Sequence, residues 1–297
     1  MVKLKAYLWT LERYFALPFF GGSLLLGVAL AGGSFASLNT WLAFIMGTAF
    51  MCAGHVWNSA LDYHVGLDKG EIFERSAEKN YSGGQSLIAS GTVTIKEVVI
   101  IAVIWDLIGL GTASYLATNT GWQIILIALL CIAVPFAYTP AKFSYFHELV
   151  LFVGAGPLAA LIGMYSVTPA PEWWIGIAAS APSGLILSFV GLPLDEWEDA
   201  EANLKKGVKS VAYRAWEYNV DLGLYLLVWV AFVYLLQVFL ITVGILAPLT
   251  WLTFVLVPVF MAAVVFLKKS FRKTAGIIVI IGACYPVLML IGQIFGG

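Results

Sequence analysis

The sequence predicts an all-α, polytopic membrane protein: a single domain over residues 1–297 with nine transmembrane helices and a cytoplasmic N-terminus. Three observations predict it. Hydrophobic residues make up 61% of the chain and charged residues 11%, against roughly 25% charged in a soluble domain. Nine apolar stretches reach the length of about 20 residues that a transmembrane helix needs. The basic residues, finally, fall on alternate sides of those stretches.

The first stretch, about 15–33, follows Lys3, Lys5 and Arg13. Met1–Ala31 shares its basic start, apolar run and Ala29-Leu30-Ala31 with signal peptides, but no exported domain follows, so an intact first span is expected. The second, about 40–60, leads into a long loop with Lys69, Arg75, Lys79 and Lys96. The third, 97–117, carries Asp106 well inside it, an acid with either a structural hydrogen bond or a site role. The fourth, 121–138, precedes Lys142, and the fifth and sixth cover 147–168 and 173–194. A second long loop with Lys205, Lys206, Lys209 and Arg214 leads to the seventh, 220–243. The eighth, 246–267, and the ninth, 274–295, flank Lys268, Lys269, Arg272 and Lys273. Pro135, Pro157, Pro182, Pro258 and Pro286 interrupt spans, as helix bundles tolerate. The loops at 33–40, 118–121, 168–173 and 243–246 hold none of the 16 Lys and Arg residues. Positive charge marks the cytoplasmic side, which puts the N-terminus inside and the C-terminus outside.

Composition also narrows function. A net charge of −1 implies no nucleic-acid partner, and nothing implies a protein partner. Cys52, Cys131 and Cys284 are unclustered in apolar stretches and read as small core residues. His55 and His64 show no zinc spacing and read as structural residues at a membrane boundary.

Most of the 17 acids lie in the two long cytoplasmic loops or at their ends. Each loop opens with a carboxylate cluster: Asn58-Ser-Ala-Leu-Asp62-Tyr-His-Val-Gly-Leu-Asp68, and Asp195-Glu-Trp-Glu-Asp199. Asn58 and Asp62 share a helical face, as do Asp195 and Asp199, because both pairs are i, i+4. Gly66 gives the helix a place to end and lets Asp68 return towards that face. Like charges at the edge of a low-dielectric bilayer repel unless a cation sits between them. Oxygen-only ligands suit Mg²⁺ with substrate phosphates, and the neighbouring lysines suit a diphosphate.

These residues resemble the UbiA superfamily of intramembrane prenyltransferases, with one aspartate motif after the second helix and another after the sixth. The resemblance implies nine helices around a central cavity. Asp62 and Asp68, six apart with Gly66 between, look like the menaquinone branch, the 1,4-dihydroxy-2-naphthoate prenyltransferases. Ser82-Gly83-Gly84-Gln85 with Gly91, Tyr138-Thr-Pro-Ala-Lys142 with His147-Glu148 and Gly156-Pro157, and Lys205-Lys206-Gly-Val-Lys209 are similar to segments of that branch. Two positions depart from the pattern. Ser59 stands where the family usually has Asp or Asn, and Gly191, with Pro193, where its second motif usually begins with Asn.

What the resemblance implies is Mg²⁺-dependent transfer of a prenyl group from a prenyl diphosphate to a lipophilic acceptor. Asn58, Asp62 and Asp68 are expected to hold one Mg²⁺, and Asp195 and Asp199 a second, at the cytoplasmic face of the cell membrane. Lys142, with Tyr138, Lys205 and Lys209, is expected at the diphosphate. Tyr63, Tyr138 and Trp197 adjoin the motifs as possible cavity aromatics. Glu148 is expected to pair with Lys142, and the loop from Glu71 to Ser90 reads as a lid with a hinge or turn at Gly83-Gly84. Other acceptors stay open: a lipid glycerol phosphate, 4-hydroxybenzoate or a tetrapyrrole. An ion-coupled transporter is the rival from another class, but transporter sites favour the bilayer midplane, whereas these acids sit at the rim.

Overall fold

The computed structural model describes residues 12–67, 87–88, 91–267 and 269–297, and leaves aside the side chains of Asp195, Arg272 and Lys273. Asp68 and the Ser82–Gln85 segment lie outside the described residues, as does most of the expected lid. Among the described residues all regular structure is helical.

Eight helices are long and apolar enough to cross a membrane: α2 (Leu38–His64), α3 (Ile95–Thr120), α4 (Gln123–Ala141), α5 (His147–Tyr165), α6 (Trp173–Leu194), α7 (Leu222–Thr242), α8 (Pro248–Phe266) and α9 (Thr274–Gly296). The stretch expected as the first span is also helical, but α1 (Tyr14–Leu30) is shorter. It stops before the predicted end because Gly32 takes φ +69 and turns the chain. At 1.5 Å per residue α1 reaches about 25 Å, against about 30 Å of hydrocarbon.

Local chemistry sets the helix ends. Ser37 starts α2 by accepting the Asn39 N–H, and Asp221 starts α7 by accepting the Leu224 N–H. Thr94 and Glu97 form a reciprocal cap on α3, which satisfies two otherwise orphaned backbone donors. Gly66, at φ +82, closes α2 as its position predicts, and the Leu67 N–H bonds back to the Asp62 carbonyl. Each helix packs on the next and α9 closes on α1, so the bundle is a ring.

The tightest crossing joins α1 to α5. A Cβ at Gly27 would lie 2.0 Å from the Ala160 carbonyl oxygen, and one at Gly163 would lie 2.0 Å from that of Leu24. Small residues let helix backbones meet where lipid offers no hydrophobic drive to associate. Two single π-turns, Gly154–Leu158 in α5 and Leu187–Gly191 in α6, interrupt the walls of the ring's interior. Such turns are frequent at functional sites.

Candidate active site

A cavity of about 590 Å³ occupies the interior of the ring, lined by residues of α1, α2, α4, α5, α6 and α9. Phe15, Phe19, Phe20 and Phe50 supply aromatic walls, and Met51, Cys131 and Leu158 lie among the apolar residues further in. Polar groups gather where α1 and α9 begin and α2, α4 and α6 end: Arg13, Asn58, Tyr138 and Glu198. Ile277 and Ile280 of α9 line the cavity and are nevertheless 48% and 64% exposed. The cavity therefore opens sideways along α9 as well as at its polar mouth.

At the mouth, Asp62 is buried on the last turns of α2. Its Oδ1 accepts the Thr139 hydroxyl at 3.1 Å, and its Oδ2 lies 2.5 Å from Lys142 Nζ. Lys142 also stands 5.0 Å from the centre of the Tyr138 ring. Asn58, one turn before Asp62, faces the cavity, and its Oδ1 is buried without a hydrogen-bond partner among the described residues.

The second motif continues α6 into a tight turn, Trp197–Asp199. Asp199 is buried there, and Glu198 faces the cavity. The backbone of Asp195 lies in the last helical turn before it. Glu196 is held by the neighbouring elements: its Oε2 lies 3.5 Å from His147 Nε2, while His147 Nδ1 lies 3.4 Å from Glu148 Oε2. Burial pushes the Glu196 carboxyl up, but His147, Lys142 and Tyr213 outweigh it and hold it below the usual range. Tyr213 accepts a hydrogen bond from Asn203 at 2.5 Å. Its phenol is pushed well above the usual range, first by burial and then by Glu196.

The basic segment straps both motifs together. The Lys209 N–H donates to the Lys142 carbonyl at 2.6 Å, the Val211 N–H donates to Glu148 Oε1 at 2.6 Å, and Lys206 Nζ donates to the Leu67 carbonyl. Expected partners change accordingly. Glu148 faces His147 and the Val211 N–H where a pair with Lys142 is expected, because Asp62 already holds Lys142. Lys205 points outward to Glu201 at 2.8 Å, and the Lys209 ammonium lies over the Tyr145 ring; both side chains are exposed.

Three aromatics beside the motifs part company. Tyr138 lines the cavity, whereas Trp197 packs near Tyr225 and Tyr63 against the Val56–Val93 cluster. Asp106 accepts the Trp57 indole N–H at 2.7 Å, a structural hydrogen bond between α2 and α3. Buried Ser59 bonds the His55 carbonyl. Arg13 and His55 are cavity residues that sequence reasoning misses; the i, i+3 spacing of His55 from Asn58 on α2 is a signal that precedes the structure, and Arg13, which lies outside the helix, has none. Cys284, expected in the core, is exposed on α9. Among the described residues no group of three or more His, Cys, Asp or Glu side chains converges as a metal cluster.

The model of the UbiA prenyltransferase family matches residues 20–288. The chain belongs to the UbiA prenyltransferase family. It is an intramembrane prenyltransferase, an enzyme of a multi-pass membrane type, and the transporter reading falls. Solved structures share the fold across nearly the whole chain. A UbiA homolog from Aeropyrum pernix K1 has a TM-score of 0.63 at 16% identity, covering 95% of this chain and 96% of its own. A digeranylgeranylglyceryl phosphate synthase has a TM-score of 0.59 at 17% identity, covering 100% and 99%. A UbiA homolog from Archaeoglobus fulgidus, solved bound to DMAPP and Mg²⁺, has a TM-score of 0.52 at 16% identity, covering 94% and 97%. No curated protein sequence matches the chain.

Proposed function

We propose that this UbiA-family protein transfers a prenyl group, with Mg²⁺, from a prenyl diphosphate to an aromatic acceptor of the 1,4-dihydroxy-2-naphthoate type. The observation that carries the reading is one cavity with a charged mouth, aromatic walls and a side open to lipid. A prenyl diphosphate has the same division, a charged head on an apolar tail. The motif end faces the cytoplasm in this reading, as the charge segregation requires, with α1 as the ninth span.

The residues present fit Mg²⁺. Asn58 presents a buried oxygen with no hydrogen-bond partner among the described residues, one helical turn from the Asp62 carboxylate, an oxygen-only set suited to a hard cation. Asn58, Asp62 and Asp68 would hold one ion, and Asp195 and Asp199 a second. Bound Mg²⁺ supplies charge neutralisation for the departing diphosphate. Lys142 takes the diphosphate, with Lys209 in support from the strap; Lys205, turned outward to Glu201, has no part in it. Tyr138 and the phenylalanine walls keep water from the reacting carbon, and their ring faces favour positive charge.

The naphthoate-type acceptor is favoured by the six-residue spacing of Asp62 and Asp68, with Gly66 turning the chain between them. A lipid glycerol phosphate acceptor is the second reading, favoured by the full-length match to digeranylgeranylglyceryl phosphate synthase. The test is pyrophosphate release by purified protein given geranyl or geranylgeranyl diphosphate, with Mg²⁺ or EDTA and with or without each acceptor. Mg²⁺-dependent release that rises with the naphthoate supports the first reading. Release that rises only with the glycerol phosphate supports the second.

A further inference from the structure

Three buried ionisable side chains, His147, Glu148 and Glu196, stand behind the cavity wall, outside its lining. The reaction described above uses none of them. His147 opens α5 and is wholly buried. Its Nε2 lies 3.5 Å from Glu196 Oε2, and its Nδ1 lies 3.4 Å from Glu148 Oε2. Its ring stands in a T-shaped arrangement with that of Tyr138, which lines the cavity, 5.6 Å between centroids. Glu148 is almost wholly buried, and its other oxygen takes the Val211 N–H from the strap. One imidazole thus joins the end of α4, the start of α5, the second motif and the strap.

The charge on this imidazole follows from what faces it. A neutral imidazole carries one N–H, so it can serve one carboxylate and must turn a lone pair on the other. Carboxylates on both nitrogens call for both to donate, and a buried carboxylate without a cation or donor is costly. His147 therefore serves as an imidazolium between two acids.

The second motif makes that hold consequential. Glu196 stands three residues before Asp199, and the turn Trp197–Asp199 is a 3₁₀ helix, in which residues i and i+3 eclipse. Glu196 and Asp199 thus lie on one side of the chain, and Tyr213 is close enough to interact with both. Lys142 and Tyr138 are within electrostatic reach of Glu196 as well. A free Glu196 would have a short path to the metal ligands and to the diphosphate.

We propose that His147 is a positioning residue of the prenyl-transfer site: it holds Glu196 away from the metal, so that the second motif offers Asp195 and Asp199 to Mg²⁺. The inference rests on the metal placement within the prenyl-transfer reading and adds the group that takes one of the motif's acids out of contention.

Mn²⁺ titration of the purified protein without substrate, followed by electron paramagnetic resonance, tests it, because carboxylate sites for Mg²⁺ also suit Mn²⁺. His147→Gln can donate to only one of the two acids and releases Glu196, so Mn²⁺ binds several times more tightly than in the wild type. The released carboxylate also opposes the diphosphate, which raises the donor KM by roughly tenfold and leaves the acceptor KM within about twofold. Glu196→Gln binds Mn²⁺ as the wild type does. The double variant returns both the Mn²⁺ affinity and the donor KM towards wild-type values, which a mere packing role for His147 would not predict. Weaker Mn²⁺ binding in Glu196→Gln would make Glu196 a ligand and overturn the proposal, as would an unchanged affinity in His147→Gln. If His147→Gln does not fold, the double variant is compared with Glu196→Gln: equal affinities support the proposal, and unequal ones overturn it. The metal titration reads no turnover, so the two readings separate. An affinity that shifts in His147→Gln, without turnover in the wild type, keeps the role of His147 and removes the prenyl-transfer reading. Turnover with an affinity indifferent to His147 removes this inference alone. No Mn²⁺ binding in any variant and no turnover remove both.

Discussion

Lys142 and Asp62 form an ion pair across the mouth of the cavity, Nζ to Oδ2 at 2.5 Å, although they lie 80 residues apart in sequence. Asp62 is almost wholly buried, and Lys142 is 12% exposed. Each compensates a charge that would otherwise be costly in that setting, and breaking such a pair from one side costs about 3–5 kcal/mol. Lys142→Met therefore lowers thermal stability and raises the donor KM far more than the acceptor KM. Adding Asp62→Asn in the same chain recovers stability, because no lone charge remains, yet turnover falls by roughly a hundredfold or more. Calorimetry and kinetics on the single and double variants check both halves. An effect of Lys142→Met confined to the acceptor would move the lysine out of the diphosphate site.

Mg²⁺ supplies a second prediction. If the Asn58 oxygen is a ligand, Mg²⁺ with a non-hydrolysable prenyl diphosphate raises the melting temperature of the wild type. The shift corresponds to about 2.7 kcal/mol at a hundredfold excess over Kd. Asn58→Ala and Asp199→Ala each lose most of it, and EDTA returns all three proteins to one value. A full shift in both variants would place the ion elsewhere.

Much of the arrangement is legible in the sequence because hydropathy and charge act over whole segments. Each of the nine predicted stretches is helical. Gly66 turns the chain where its lack of a Cβ allows, and Asn58 reaches the cavity one turn from Asp62. What fails depends on partners distant in sequence. Glu148 has Lys142 six residues away, but the nearer competitor in space is Asp62, and the Val211 N–H offers Glu148 a better donor. Lys205 belongs to the right segment and the wrong face, since the short helix Ala200–Lys205 sets it i, i+4 from Glu201. Arg13 and His55 escape notice because a cavity wall has no period of its own; six helices contribute to it, each by one stripe.

Glu12 gives a pH test. Trp105 donates to its Oε1 at 2.7 Å, but burial dominates and pushes the carboxyl above its usual range. The folded chain then keeps this proton at pH values where the unfolded chain, titrating near 4.3, has lost it. The folded state binds more protons in that window, so this contribution to stability falls as pH rises through the raised value. Glu12→Gln keeps an acceptor for Trp105 and removes the charge. Thermal unfolding in detergent should show the variant level with the wild type at pH 4 and above it at pH 7. A variant that melts lower at pH 7 would mean that the charged carboxylate stabilises the fold.

The α1–α5 crossing gives the last prediction. Gly27 and Gly163 face the carbonyls of Ala160 and Leu24, each 2.0 Å from where a Cβ would be. A backbone atom cannot swing aside as the tip of a side chain can. Gly163→Ala must push the two helices apart, and overpacking of this kind typically costs about 1–3 kcal/mol. The crossing also holds α1, with Arg13 and Phe19, against the cavity, so a displaced α1 should weaken substrate affinity together with stability. Gly54→Ala is the contrast: its Cβ meets nothing within 4 Å, so the variant should melt like the wild type while its cavity narrows beside His55. Unfolding temperatures of the two variants decide it. An unchanged Gly163→Ala would show that the two helices can separate without loss, and that some other contact sets the position of α1.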